Sequence, residues 1–123
     1  GQAEYFRNLG FSIYRIAQRG YFDSAVVRTV LEFKSPARVD DILDLHVRVS
    51  RIGNTSLHLD IEVYPQFSDR LVSTLQAVYV GFHVESLTTR PVPGEIREIV
   101  NHFETTGEVL PLERFPRLAE AAR

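Results

Sequence analysis

Between Leu43 and Val63 the chain alternates apolar and polar residues twice. Leu43, Leu45, Val47 and Val49 are separated by Asp44, His46 and Arg48; Leu57, Leu59, Ile61 and Val63 are separated by His58, Asp60 and Glu62. Successive side chains of an extended chain point to opposite faces, so each run is a strand with one apolar and one polar face. Gly53-Asn54 between them is a hairpin signal. Residues opposed in an antiparallel pair must share a face. A two-residue loop of Gly53 and Asn54 opposes Val49 to His58 and mixes the faces. A loop of Ile52, Gly53 and Asn54 opposes Val47 to Leu59, Leu45 to Ile61 and His46 to Asp60. A loop of Gly53, Asn54 and Thr55 opposes Arg48 to Asp60 instead. Parity therefore predicts an odd loop accompanied by a bulge.

The flanking sequence supplies two more strands. Residues 25–34 are rich in β-branched side chains and end at Pro36, which cannot donate to a ladder. Residues 64–69 read as a turn. Residues 70–83 form a long run with apolar side chains on both sides, as a central strand has. The loop 85–95 contains Pro91 and Pro93, and the helix after it places Ile96, Ile99, Val100 and Phe103 on one face. At the start, Ala3, Phe6 and Leu9 share a helix face, Glu4 and Arg7 are spaced to pair, and Gly10 sits where a left-handed residue would end the helix. Residues 11–24 read as a connection. Residues 105–123 show no clear period beyond a short helix from Glu113. These elements predict an α+β fold, one antiparallel sheet curled over a helix. A two-turn helix is short of the ~12–15 residues that sustain an isolated helix, so it is expected to be the tail of a longer one. On its own it leaves the concave face, Leu45, Val47, Leu59 and Ile61 included, partly uncovered, which invites association.

Composition excludes several classes. The 123 residues carry a formal net charge of -2, so there is no basic field for nucleic acid or an anionic membrane. No cysteine is present, which removes thiol catalysis and thiolate metal sites. No apolar run approaches the ~20 residues of a membrane span. A cytoplasmic domain without nucleic-acid or membrane partners is expected. Neither a Gly-x-Ser-x-Gly elbow nor a glycine-rich phosphate loop occurs.

The order and spacing of EYFRNLG (4–10), VVRTVLEFKSPARVDDIL (26–43), RIGNTSL (51–57) and TTRPVPGEIREIVNHFE (88–104) resemble the hotdog-fold acyl-CoA thioesterases of the 4-hydroxybenzoyl-CoA thioesterase branch. The resemblance implies a hotdog fold, an antiparallel sheet wrapped around a central helix, over residues 1–104, with 105–123 as a C-terminal tail or short helix. It implies hydrolysis of a thioester to CoA and a carboxylic acid, with acyl-CoA at the seam of an edge-to-edge homodimer and a tetramer as a dimer of dimers. The other reading is a non-catalytic acyl-CoA-binding or scaffold module. No metal and no cofactor is implied, since CoA belongs to the substrate. Family members begin with a strand and an Asp-x-x-Gly-His loop whose carboxylate is base or nucleophile. Gly1–Gly10 corresponds to the end of the helix that follows, so a first strand, that loop and the helix start are expected before Gly1. No residue of 1–123 is assigned the catalytic role.

The same resemblance assigns CoA contacts to Arg51, Asn54, Thr55 and Ser56 around the hairpin turn and to Arg90 in the loop after the last strand. An arginine fork suits phosphate oxygens. His46 and His58, with Asp60 and Glu62, lie on the polar face and read as solvated cross-strand pairs rather than a metal site. Glu4 reads as a solvated helix residue. Arg38 is expected to pair with Asp40 or Asp41 and stiffen the turn, and Tyr79 and Phe82 to serve the core or a dimer seam. Back-to-back packing would desolvate His46, Arg48, His58, Asp60 and Glu62, which favours a dimer over a tetramer of that kind. A nuclear transport factor 2-like cone would carry more helices ahead of the sheet.

Overall fold

The structure is a computed structural model describing residues 1–123. Helix α1 (Gln2–Asn8) and a second short helix α2 (Ile13–Gln18) precede strand β1 (Ser24–Phe33). A meander of β2 (Leu43–Ile52), β3 (Ser56–Pro65) and β4 (Ser73–Gly81) follows, then α3 (Gly94–Thr106), a 3-10 turn (Leu112–Arg114) and α4 (Pro116–Ala122). All pairing is antiparallel, in the order β1-β4-β3-β2. The expected central strand is β4, shorter than the 70–83 run.

Beyond a bulge the strands take the register of the Gly53–Asn54–Thr55 alternative, but at the turn itself Ile52 opposes Leu57, so an even stretch of four residues, 53–56, lies between them and the expected odd loop is not formed. Arg48 opposes Asp60 and Val49 opposes Leu59, and a register shift between Val49 and Arg51 makes Ser50 a bulge. A second shift, between Val26 and Arg28, makes a bulge of Val27 in β1. The inner face therefore carries aligned rows across the sheet: Val26, Tyr79, Leu57 and Ile52; Thr29, Ala77, Leu59 and Val49; Leu31, Leu75, Ile61 and Val47.

Phe6 and Leu9 of α1 are buried as their spacing predicts, joined by Tyr5. Gly10 ends the helix at a φ of 105°, a conformation that costs glycine little. Glu4 is exposed, as expected, and makes no ion pair with Arg7. The expected connection 11–24 contains α2, which Ser12 caps by accepting the Arg15 N–H at 3.2 Å, with Ile13 and Ile16 buried. A serine before an i, i+3 isoleucine pair is a helix-start signal. Arg38 stiffens its turn through its backbone: its N–H donates to Asp41 Oδ2 at 2.8 Å.

Helix α3 buries Ile96, Ile99 and Val100. Residues 105–123 finish α3 and then send Leu110, Phe115, Leu118 and Ala121 into the same apolar cluster as Phe6, Leu57 and Leu59. Pro116 opens α4 in its first turn, where a missing N–H costs nothing.

Gly81 ends β4 where the loop before α3 crosses it. Its N–H donates to Thr55 O at 2.7 Å and its carbonyl accepts from Arg90 N at 2.8 Å. A methyl group here would collide with the Arg90 carbonyl oxygen and the Phe22 ring. Gly81→Ala is expected to destabilise the fold by about 1–3 kcal/mol, the usual cost of overpacking, as a lowered urea midpoint. An unchanged midpoint would show that the loop is free to move.

Candidate functional site

The curl of the sheet makes a hollow that helices fill from one end only. Toward the hairpin turn the middle of the sheet is sealed, with Leu57 0% and Leu59 1% exposed, whereas Val26 at the β1 end of the Leu57 row is 55% exposed. Toward the other end the hollow opens: Val47 is half-buried, and Leu31, Phe33 and Leu45 are 51%, 79% and 56% exposed. Phe33, Pro36, Leu43, Val63, Val72 and Ser73 line a depression of about 560 Å³ there. No inner-face position of the four strands is charged or histidine. The surface is largely apolar, with Lys34 the one ionisable side chain lining the depression.

At the closed end, two loops form a polar lip. Val92 N donates to Asn54 O at 2.9 Å, Gly81 N to Thr55 O, and Arg97 Nη2 to Gly53 O at 2.9 Å. Asn54, Thr55 and Ser56 thus lie beside the loop carrying Arg90. The Arg90 guanidinium turns toward α2, donating to Tyr21 O at 2.5 Å and Gly20 O at 3.1 Å. Arg51 stands apart from Arg90, on the outer face of the sheet. Arg97, not singled out from the sequence, ties the hairpin turn to α3; its signal is a lone basic residue in the first turn of a helix, where the dipole disfavours a cation.

Two part-buried junctions are held by carboxylates on α3. Glu104 Oε2 accepts from the Tyr5 hydroxyl at 2.6 Å and from Val49 N–H at 3.0 Å, joining α1, β2 and α3. Glu95 Oε1 accepts from the Tyr21 hydroxyl at 2.9 Å, and Glu95 Oε2 from Arg117 N–H at 3.3 Å. His46 opposes Glu62 across the outer face, its ring edge-on to Tyr64 at 5.2 Å, and His58 Nε2 lies 3.3 Å from Ser56 Oγ. No three His, Asp or Glu residues converge as metal ligands would, and no helix is long and apolar enough to cross a membrane.

An antiparallel sheet curled over a helix, with an apolar hollow and a polar lip, is the hotdog architecture. The thioesterase superfamily matches residues 3–81, and the chain belongs to that family. Among solved structures it is similar to a 1,4-dihydroxy-2-naphthoyl-CoA thioesterase from Synechocystis, at 18% identity and a TM-score of 0.73 over 82% of this chain and 74% of that one. It is also similar to a DHNA-CoA thioesterase from Staphylococcus aureus, at 14% identity and a TM-score of 0.74 over 89% and 76%. A probable thioesterase from Bartonella henselae aligns at 21% identity and a TM-score of 0.64 over 76% and 75%. No curated protein sequence matches the chain.

Burial, reinforced by the bond to Glu104, pushes the Tyr5 phenol far above its ordinary value; burial and Glu95 do the same to Tyr21. A raised phenol holds its proton in the fold after the unfolded chain has released it. Its stabilisation is complete below about pH 10 and is lost as pH rises further. The urea midpoint is expected to fall above about pH 10, and to fall less steeply in Tyr5→Phe. Parallel declines in the two proteins would place the alkaline sensitivity elsewhere.

Proposed function

We propose that the protein hydrolyses an acyl-CoA thioester. The family match across residues 3–81, the segment that builds the hollow and its helix, carries this reading. The acyl group packs on the open apolar end, against Leu31, Phe33, Leu43 and Leu45. Water adds to the thioester carbonyl carbon, the C–S bond breaks, CoA leaves as the thiol and the acyl group as a carboxylic acid. No cofactor takes part. The CoA end is held at the lip by Asn54, Thr55, Ser56 and Arg90, whose Nη2 is engaged with backbone carbonyls while the rest of the fork remains for phosphate. Arg51, on the other face, has no part in this reading.

The working unit is a homodimer in this reading. Hollow and lip lie at opposite ends of one protomer, about seven strand residues or roughly 23 Å apart. Edge strand β1 exposes Val26, Val27, Leu31 and Phe33, a long apolar edge of the kind that pairs with another strand. Antiparallel pairing of two β1 edges reverses one protomer against the other, so the partner's lip meets this protomer's hollow. One observation favours a second reading, a non-catalytic acyl-CoA-binding module: no strand position facing the hollow carries a carboxylate or an imidazole.

The full-length protein is expected to release thiol from at least one member of an aliphatic and aromatic acyl-CoA panel, followed with a thiol-reactive dye. Saturable binding without thiol release would select the binding module, and neither would refute both. Val27→Asp, which places a charge on the β1 edge, is expected to give a monomer by light scattering and to lower thiol release by about tenfold or more, the loss of a binding partner worth at least one decade. A monomeric wild-type protein with full activity would overturn the shared site.

A further inference from the structure

The convex back of the sheet carries a depression that neither hollow nor lip uses. One outward row crosses it. Arg28 on β1 opposes Val78 on β4, Val78 opposes His58 on β3, and His58 opposes Arg51 on β2. The two bulges create this row. In unbroken register Val27 would oppose Val78, and Arg28 would face inward; likewise Ser50 would oppose His58, and Arg51 would face inward. The extra residue in each edge strand turns an arginine onto the back, at the same level of the sheet from both sides. Bulges re-aim side chains in this way.

Neither arginine has an acidic partner. The ion pairs of the fold engage Arg48 with Asp60 at 3.3 Å, Lys34 with Glu32, Arg114 with Glu98 and Arg123 with Glu120. Asp60 lines the same depression, but Arg48 already occupies it. The space is about 330 Å³, with Val30 and Val78 in its lining and Gln76 and Ser50 beside the arginines. Two unpaired guanidinium groups and an imidazole held by Ser56 thus converge on a cavity of small-molecule size.

We propose that this row is a phosphate-binding site, taking a phosphate dianion that is free or terminates a phosphomonoester. Two planar forks meeting from opposite sides match tetrahedral oxygens better than a planar carboxylate, which one fork satisfies. The site lies on the opposite face from the hollow and shares with the hydrolase reading only Ser56, which touches His58.

Inorganic phosphate is titrated into ¹⁵N-labelled protein at constant ionic strength, with CoA as a separate phosphomonoester arm. Saturable shifts are expected at Arg28, Val78, His58 and Arg51. Arg28→Gln and Arg51→Gln should each weaken the response roughly tenfold, as loss of a charge-assisted pair does, while Arg114→Gln, remote and already paired, leaves it intact. CoA shifting the same row in competition with phosphate identifies a phosphomonoester site, and phosphate alone acting identifies a free-anion site; either supports the proposal. Shifts that are diffuse, or equally weakened by Arg114→Gln, overturn it. So does a tetramer by light scattering whose row does not respond, which would mean that a second copy covers the back.

Discussion

One constraint organises the molecule: the apolar side of a strongly curled sheet must be covered, and the chain covers one end of it. Leu57 and Leu59 are sealed because Phe6 and Leu9 come from before the sheet and Ile99, Val100, Phe115 and Leu118 from after it. Burial at roughly 25 cal/mol per Å² of apolar surface drives this assembly. It also strands polar backbone wherever a helix end or strand edge goes dry. The α3 carboxylates answer that cost: Glu104 takes the Val49 N–H together with the Tyr5 hydroxyl, and Glu95 takes the Arg117 N–H together with that of Tyr21. Each joins three segments far apart in sequence, which is how a short helix such as α1 is held although it cannot stand alone.

The two sheet edges are treated differently. Edge strand β2 carries Asp44, His46, Arg48 and Arg51 outward and gives its Val49 N–H to Glu104. Charge and cover of this kind discourage strand addition. Edge strand β1 does the reverse, exposing Val26, Val27, Leu31 and Phe33 without a helix over them. The asymmetry gives the proposed dimer its direction. β1 bares four large apolar side chains where β2 bares Leu43 and Leu45, and an isologous pairing of the β1 edge would bring opposite ends of two protomers together.

What could be read in the sequence was what depends on local period. Strict alternation located β2 and β3, and face parity required one extra residue in the hairpin; the fold places it in the bulge at Ser50 rather than in an odd loop. The two polar residues Ser50 and Arg51 between Val49 and Ile52 carry the mark of the β2 bulge. The β1 bulge leaves no such mark, since Ala25, Val26 and Val27 are apolar on either side. Helix α2 is hard to read from the sequence because six residues with two buried isoleucines make too brief a period, although Ser12 marks its start. The ends of residues 105–123 pack through single anchors, Leu110, Phe115 and Leu118, whose partners are fixed only by the tertiary fold. Of the expected CoA residues, Asn54 and Thr55 share a lip with the Arg90 loop, whereas the turn of Arg51 onto the outer face, where the Ser56 hydroxyl meets His58, follows from a one-residue register shift that spacing cannot convey.

That shift has a structural purpose and a remainder. Without the bulges, the apolar phase of β1 and β2 would slip, and Arg51 would be driven toward the face that holds Leu57, where an unpaired guanidinium is strongly disfavoured. The bulges restore the inner phase, so that Ile52 meets Leu57 and Thr29 meets Ala77. This demands only that positions 28 and 51 face water, which serine, threonine or glutamine would satisfy as well. It does not demand a cation at both, level with each other and with His58, in a protein whose net charge is -2. Folding accounts for the direction of the two side chains but not for their charge, and the charge is what an anion would read.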